Sequence, residues 1–522
     1  YYRQIIEHPE WMSEEAVKAG GLYNGNDMGR IYRITPTEAP PAEWMKGIQL
    51  GDAKSEQLVE KLSSPNIWWR LNAQRLLVDR ADKNSISVLI KMVENKDFPM
   101  GRLHALWTLE GLQQLSQKMI VQALKDSIAG IRENAIKLAE NHLVEYPELV
   151  KDLLSMTNDT NAKVRYQLLL TLGFINTPQA AEARNRILFK DINDQWVQIA
   201  TISASSLQME ALLKVVLSKY KSDIPAFSSL VQRLTTMIGI SGTPETISKF
   251  MQSATSTPLD SQTKQSWQTS MLEGIANGLE VRKSKSAKSI DAFKNEQSLL
   301  VNTFFKNPVS SIRNAALHIL KIIGLSDQDL AKASVKKAVL IANDKSLPIS
   351  KRTEALNFMV LQKDALQQHM TFLENFLNPH EELSIQLAAL RTLITIDDNS
   401  ICNYLLEKWP NLTPELRDAA LNAFFTNPER IALLLDAIES GKVDPGNLGW
   451  QRTTRLMSQS DKKLRDKARL LLTKNDEDQV IKDYQKVLQV KGDEIKGKTV
   501  YMQHCSMCHQ VRGKIGVEYG PD

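Results

Sequence analysis

Helical stretch after helical stretch in this chain opens on an apolar residue followed by arginine: Ile131-Arg132, Val164-Arg165, Ile312-Arg313, Leu416-Arg417 and Leu464-Arg465. An alanine three or four residues on (Ala135, Ala316, Ala420, Ala468) would let two helices approach closely. The apolar residues then recur at helical spacing. Ile131, Ala135 and Leu138 make one such face; Val164, Leu168 and Leu172 make another. Ile312, Ala316, Leu320 and Ile323 follow, then Leu416, Ala420 and Phe424, and last Leu464, Ala468 and Leu471. A chain that keeps restarting amphipathic helices, with almost no period-two pattern between them, has to bury helix against helix.

Further helices alternate with these. NPERIALLLDAIESG carries a cap at Asn427, Pro428 in the first turn, Ile431, Leu434, Leu435 and Ile438 on one face, and Gly441 as its stop. SSPNIWWRLNAQRLLVDR predicts a helix capped by Ser64 with Pro65 at its first position, and an apolar face beginning at Trp68, Leu71 and Leu76. Helix pairs returning every ~30–45 residues are the mark of an α-solenoid. The series over residues 55–475 resembles HEAT repeats; an irregular all-helical domain is the alternative. The spacing is least regular over residues 240–295, where Arg282, Lys283, Lys285 and Lys288 read as a solvated face.

The array shows no catalytic pattern. It has no HExxH, Gly-x-Ser-x-Gly, phosphate-loop or dinucleotide-binding motif. His104, His318, His369 and His380 are scattered singly, and Cys402 reads as a buried helical thiol. A net charge of +5 on 65 basic and 60 acidic residues makes no case for nucleic acid. No apolar run approaches the roughly 20 residues of a membrane span. The chain opens on Tyr1 without a signal peptide, so a fragment or a processed chain is expected.

Both ends differ from the middle. Asn24, Gly25, Asn26, Asp27 and Gly29 are turn formers, and Ile31–Ile34 is a short β-prone run whose partners are expected before Tyr1. Ala39-Pro40-Pro41 reads as a linker. At the other end, Cys505-Ser506-Met507-Cys508-His509 has the spacing for covalent haem attachment: two thiols for the two vinyl groups, and an imidazole for the iron. A thioredoxin-like redox pair would need a βαβ context, and a zinc site would need further ligands; both stay open as rivals, with His504 as an exposed neighbour. Met502 and Met507 lie too close in sequence to His509 to reach the opposite haem face, so the sixth ligand is absent. Pro521 is the candidate to offer its carbonyl to His509 Nδ1.

The first segment, YYRQIIEHPEWMSEEAVKAGGLYNGNDMGRIYRITP, resembles the closing segment of a sorbosone/glucose-dehydrogenase-like β-propeller. The last, GDEIKGKTVYMQHCSMCHQVRGKIGVEYGPD, is similar to the haem domain of the membrane-bound dehydrogenases of Pirellula/Verrucomicrobium type, where a propeller is followed by HEAT-like helices and a small cytochrome c domain. Arg512 stands where that pattern often has glycine. The resemblance implies an all-α, HEAT-like solenoid (55–475) preceded by a propeller remnant (1–40) and a linker (41–54), and followed by an incomplete cytochrome c domain (476–522). It implies haem c on Cys505, Cys508 and His509, with His509 on the iron, and a further redox cofactor in the missing propeller of a sugar- or alcohol-type oxidoreductase. The expected partners are an electron donor domain or protein and a downstream electron acceptor, plus a protein on the solenoid surface. The expected place is the bacterial periplasm or cell envelope, where thioether-linked haem is made. The alternative function is a non-catalytic HEAT-repeat scaffold that binds protein, with the haem as relay or sensor.

Overall fold

Local chemistry sets most of the helix starts. Asn161, Thr177, Thr413 and Asn427 each accept from a backbone N–H of the first turn that follows. Proline stands in the first turn of Pro99–Gly111, Pro178–Lys190, Pro225–Ser241, Pro414–Phe424 and Pro428–Glu439, where its missing N–H costs nothing. The computed structural model describes residues 17–18, 49–205, 208–255, 266–362, 366–472, 485, 491–506, 509–512 and 515–516. The β-prone run Ile31–Ile34 and the rest of the expected propeller segment lie outside the described residues, apart from 17 and 18.

The helices fall into two units, one within residues 1–191 with 199–204, the other within 192–198 and 205–522. Both are two-layered stacks of antiparallel helix pairs, so the all-α, HEAT-like solenoid expectation holds at that level. In the first unit, Ile67–Arg80, Pro99–Gly111, Ala129–Asn141 and Ala162–Thr171 pack side by side as one layer. Their starts, at Ile67, Pro99, Ala129 and Ala162, are almost evenly spaced along the chain. Ser55–Lys61, Asn84–Glu94, Gln117–Leu124, Leu149–Ser155 and Pro178–Lys190 form the other layer. Between the layers lies a core of short aliphatics, with Ala73, Leu77, Leu89, Leu109, Ala135, Leu153 and Leu168 at 0–1% exposure.

In the second unit one layer runs Pro225–Ser241, Ser266–Lys285, Ser310–Ile323, Ile349–Phe358, Leu383–Ile394 and Pro414–Phe424. The steps from Pro225 to Ser266, on to Ser310 and on to Ile349 are each longer than any in the first unit, and the first two span the region where the sequence spacing is least regular. In the step from Ser266 to Ser310 the extra length goes into the long Ser266–Lys285 helix and a 3-10 stretch, Ala287–Glu296. Pro225–Ser241 and Ser266–Lys285 meet backbone to backbone. A Cβ on Gly278 would stand 2.6 Å from Gly239 Cα, and one on Gly274 would collide with the Gln232 carbonyl oxygen.

Two local expectations are corrected. The helix expected to start after Ser64 starts at Ile67, because the Asn66 carboxamide, not Ser64, accepts from the Trp68 N–H at 2.9 Å. Its inward face is Arg70, Ala73 and Leu77, while Trp68 and Leu71 are 40% and 52% exposed. Arg70 turns inward because its guanidinium caps the Ser64 and Pro65 carbonyls at 2.6 and 2.9 Å, and that rotates the two apolar side chains to the surface.

Candidate protein-binding surface and the C-terminal motif

The recurring arginines are structural rungs. Arg132 donates from Nε and Nη2 to Asp159, both at 2.8 Å, and from Nη1 to the carbonyls of Asp126 and Ser127. Arg165 repeats this with Asp191 and the carbonyls of Asp159 and Thr160. Arg102 pairs with Asp126. Each aspartate sits in an interhelix loop, so it takes the previous repeat's guanidinium on its carboxylate and, at Asp126 and Asp159, its own repeat's guanidinium on its carbonyl. Burial alone would raise the pKa of Asp159, but the Arg132 hydrogen bond, the Asn161 N–H and the charges of Arg132 and Arg165 outweigh it and hold the carboxyl below its usual range. In the second unit Arg313 uses the same grip, on Glu354 at 2.6 and 3.0 Å and on the carbonyls of Asn307 and Pro308. Arg430, 1% exposed, is held wholly by neutral acceptors: Asn399, Thr426 and the carbonyls of Ile396 and Asp398. The sequence pattern found the arginines but not their acids, which stand one repeat later in the chain.

Two of the single histidines, His104 and His318, are satisfied groups. His104 bridges Gln74 at 2.6 Å and Arg70 at 3.2 Å, and burial followed by the Arg70 charge lowers its pKa. His318 lies between Glu273 and Glu280, and the Glu273 hydrogen bond leads the causes that raise its pKa. Cys402 is fully buried, its thiol pushed up to about 11 by burial. Of the basic group expected to be solvated, Arg282 donates to the carbonyls of Ile240 and Gly242 and Lys283 to that of Ile322, while Lys285 and Lys288 are exposed.

With the polar groups turned inward as rungs, the first unit leaves large apolar side chains outside. At the starts of two adjoining helices of one layer, Ile67, Trp68 and Leu71 are 58%, 40% and 52% exposed and Met100 is 44% exposed. Phe98, just before the second helix, is 47% exposed. The periodicity missed this face, because Trp68 and Leu71 fit an inward stripe equally well.

At the C-terminal end Asp493 caps the helix Glu494–His504, accepting from the N–H groups of Ile495 and Lys496. Cys505 follows as an exposed free thiol, and the His509 N–H donates to its carbonyl at 2.9 Å. Gln510–Val511 then pairs antiparallel with Ile515–Gly516, closed by Arg512 at φ +53, a left-handed conformation that glycine takes more readily. The Tyr501 hydroxyl donates to the carbonyls of His509 and Ile515, fastening the helix to this hairpin. Cys508 and Pro521 lie outside the described residues.

The haem c expected on this motif is corrected. Among the described residues no group of three or more His, Cys, Asp and Glu side chains comes together to hold a metal ion. The helix that would back the macrocycle buries none of its residues, with Ile495, Val500 and Met502 at 81%, 55% and 50% exposure, so it supplies no closed apolar wall. Iron binding, electron transfer, oxidoreductase chemistry and the electron donor and acceptor partners fall with the haem.

No family model matches the chain, and no curated protein does. Solved structures do. Kap121p bound to Pho4p matches over 90% of this chain and 60% of its own at 12% identity and a TM-score of 0.44. Importin beta matches over 86% of this chain and 66% of its own at 14% identity and 0.31, and the S. pombe condensin Cnd3-Cnd2 subcomplex over 82% and 61% at 12% identity and 0.34. The chain thus spans about three-fifths of the length of Kap121p. At such scores the likeness is one of helical fold alone. The kinship with propeller–cytochrome dehydrogenases is corrected: no family model or curated protein of that kind matches the chain, and neither the propeller remnant nor the cytochrome c start has support.

Proposed function

We propose that this chain is a non-catalytic, protein-binding helical-repeat scaffold. The observation that carries the reading is the exposed apolar group Ile67, Trp68, Leu71, Phe98 and Met100 on a layer whose recurring arginines Arg132 and Arg165 are spent on internal rungs. Exposed aromatic and aliphatic side chains gathered on rigid elements are the usual material of a protein interface. Stacked repeats present such side chains over a long surface. We further propose that residues 55–475 are the binding array, 41–54 its leading linker and 476–522 an appended module. Among the described residues no helix is long and apolar enough to cross a membrane. The bacterial periplasm or cell envelope has no support left that is independent of the haem.

The test is affinity capture from a native host followed by reconstitution with the purified partner. A stoichiometric complex with the wild-type chain, weakened roughly a hundredfold by Trp68→Ala with Leu71→Asp, is the expected result, since central aromatic anchors are each worth about 2 kcal/mol or more. Equal binding by that variant would overturn the assignment of the surface. Absence of any reconstituted complex would overturn the scaffold reading.

A further inference from the structure

In the second unit an open groove of about 410 Å³ is lined by cations and carboxamides, with no carboxylate among the described residues of its lining. It runs between the Gln328–Asn343 helix on one side and Gln362, Gln368 and His369 on the other. On the helix side Lys332 and Lys336 stand one turn apart beside Val339. Both lysines are exposed, and among the described residues neither takes part in an ion pair or a hydrogen bond. The next residue, Lys337, is spent elsewhere, its Nζ 4.6 Å from the centre of the Phe305 ring. The acids at the start of the same helix stay outside the lining: Asp327 is the N-cap, accepting from the Asp329 and Leu330 N–H groups, and Asp329 is exposed in the first turn. The intervening Lys363-Asp364-Ala365 carries no net charge in the sequence.

We propose that this groove binds an acidic protein segment in extended conformation, with two carboxylates two residues apart. Lys332 and Lys336 are separated by about 6 Å along the helix axis. Side chains on one face of an extended chain recur about every 6.6 Å, so carboxylates at i and i+2 meet both ammonium groups at once. The far wall suits the main chain of such a segment. A carboxamide both donates and accepts, so Gln362 and Gln368 match a peptide C=O and N–H together. A phosphate monoester presents a single anionic centre and leaves the second lysine and the carboxamides unused. The groove is a second protein-binding site, and the inference does not rest on the apolar surface of the first unit; the variants that test it leave that surface intact.

The experiment is fluorescence anisotropy of the full chain at low salt with labelled Val-Glu-Val-Glu-Val, blocked at both ends. Val-Glu-Glu-Val-Val and Val-Lys-Val-Lys-Val, blocked likewise, are the controls, and inorganic phosphate is the competitor. The first peptide should bind at submillimolar concentration, and at least tenfold more tightly than either control. Lys332→Glu with Lys336→Glu changes two exposed positions to another good helix former, so the helix persists. That variant should lose the acidic peptide tenfold or more and gain Val-Lys-Val-Lys-Val, since like charges now face the first and opposite charges the second. Equal binding of the acidic peptide by the variant, or no binding by wild type at millimolar concentration, overturns the proposal. Equal binding of Val-Glu-Glu-Val-Val overturns the extended register, and displacement of the peptide by equimolar phosphate gives the groove to a phosphate instead.

Discussion

The two units solve one problem, joining a helix pair to the next, by different chemistry. In the first, short and even steps bring each loop aspartate beneath the arginine of the repeat before, and ionic rungs tie repeat to repeat. In the second, the longer steps from Pro225 to Ser266 and from Ser266 to Ser310 come before its first acidic rung, and helix joins helix by close approach at Gly239, Gly274 and Gly278. A rung needs its acid at one place beside the guanidinium fork, which the even steps of the first unit supply from each loop. Backbone contact through glycine needs no such register. Acidic rungs return at Arg313–Glu354 and Arg352–Glu381, and the step shortens again after Ile349, where the next helices of the layer start at Leu383 and Pro414.

That contrast can be broken deliberately. The largest effect should come from Arg132→Met, which leaves the 9%-exposed Asp159 carboxylate without its partner and should cost about 3 kcal/mol, the range for one half of a buried pair. Chemical denaturation followed by hydrogen exchange should place the loss in the first unit, and adding Asp159→Asn should recover part of it. Next, Gly278→Ala drives a Cβ into the Thr236 carbonyl oxygen and should cost about 2 kcal/mol, confined to the Pro225–Ser241 and Ser266–Lys285 helices by the same exchange readout. If either variant loosened both units equally, the division of labour would be wrong.

Acid and base should separate further contacts. The Asp159 pKa is lowered in the folded chain, so its stabilisation is present above the ordinary aspartate range and lost as pH falls through the folded value. His318 has the opposite sign. Its pKa is raised by Glu273 and Glu280, so its contribution is full below about 6.5 and lost as pH rises through the folded value. This half-exposed cluster is worth under about 1 kcal/mol. Exchange rates in Ser310–Ile323, corrected for their intrinsic pH dependence, should step up as pH rises through the folded value, and His318→Gln should remove the step. The smallest effect is kinetic. Cys402, fully buried with its thiol pushed up to about 11, should resist alkylation in the folded chain and react only on unfolding.

The helical architecture was legible because caps and apolar spacing are local. Asn427, Pro428 and Gly441 bound their helix as the sequence implies, and Ile431, Leu434, Leu435 and Ile438 all turn inward. The rungs were half legible: the arginines announce themselves, but Asp126, Asp159 and Asp191 look like ordinary loop residues until the stack brings them under the preceding repeat. The exposed surface was misread, since nothing local distinguishes Trp68 facing the core from Trp68 facing out once Arg70 claims the inward position. The C-terminal motif misled for a related reason. Cys505 and His509 have the right spacing in sequence, but a prosthetic group also needs an apolar enclosure, and that is a tertiary property the Glu494–His504 helix does not supply.

The most direct test of a scaffold without a prosthetic group is a pyridine haemochrome spectrum of the denatured full chain, produced in a host that matures c-type cytochromes. The account predicts no absorption band from thioether-linked haem. A band at that position, lost in the Cys505→Ser variant, would contradict it and return the chain to electron transfer.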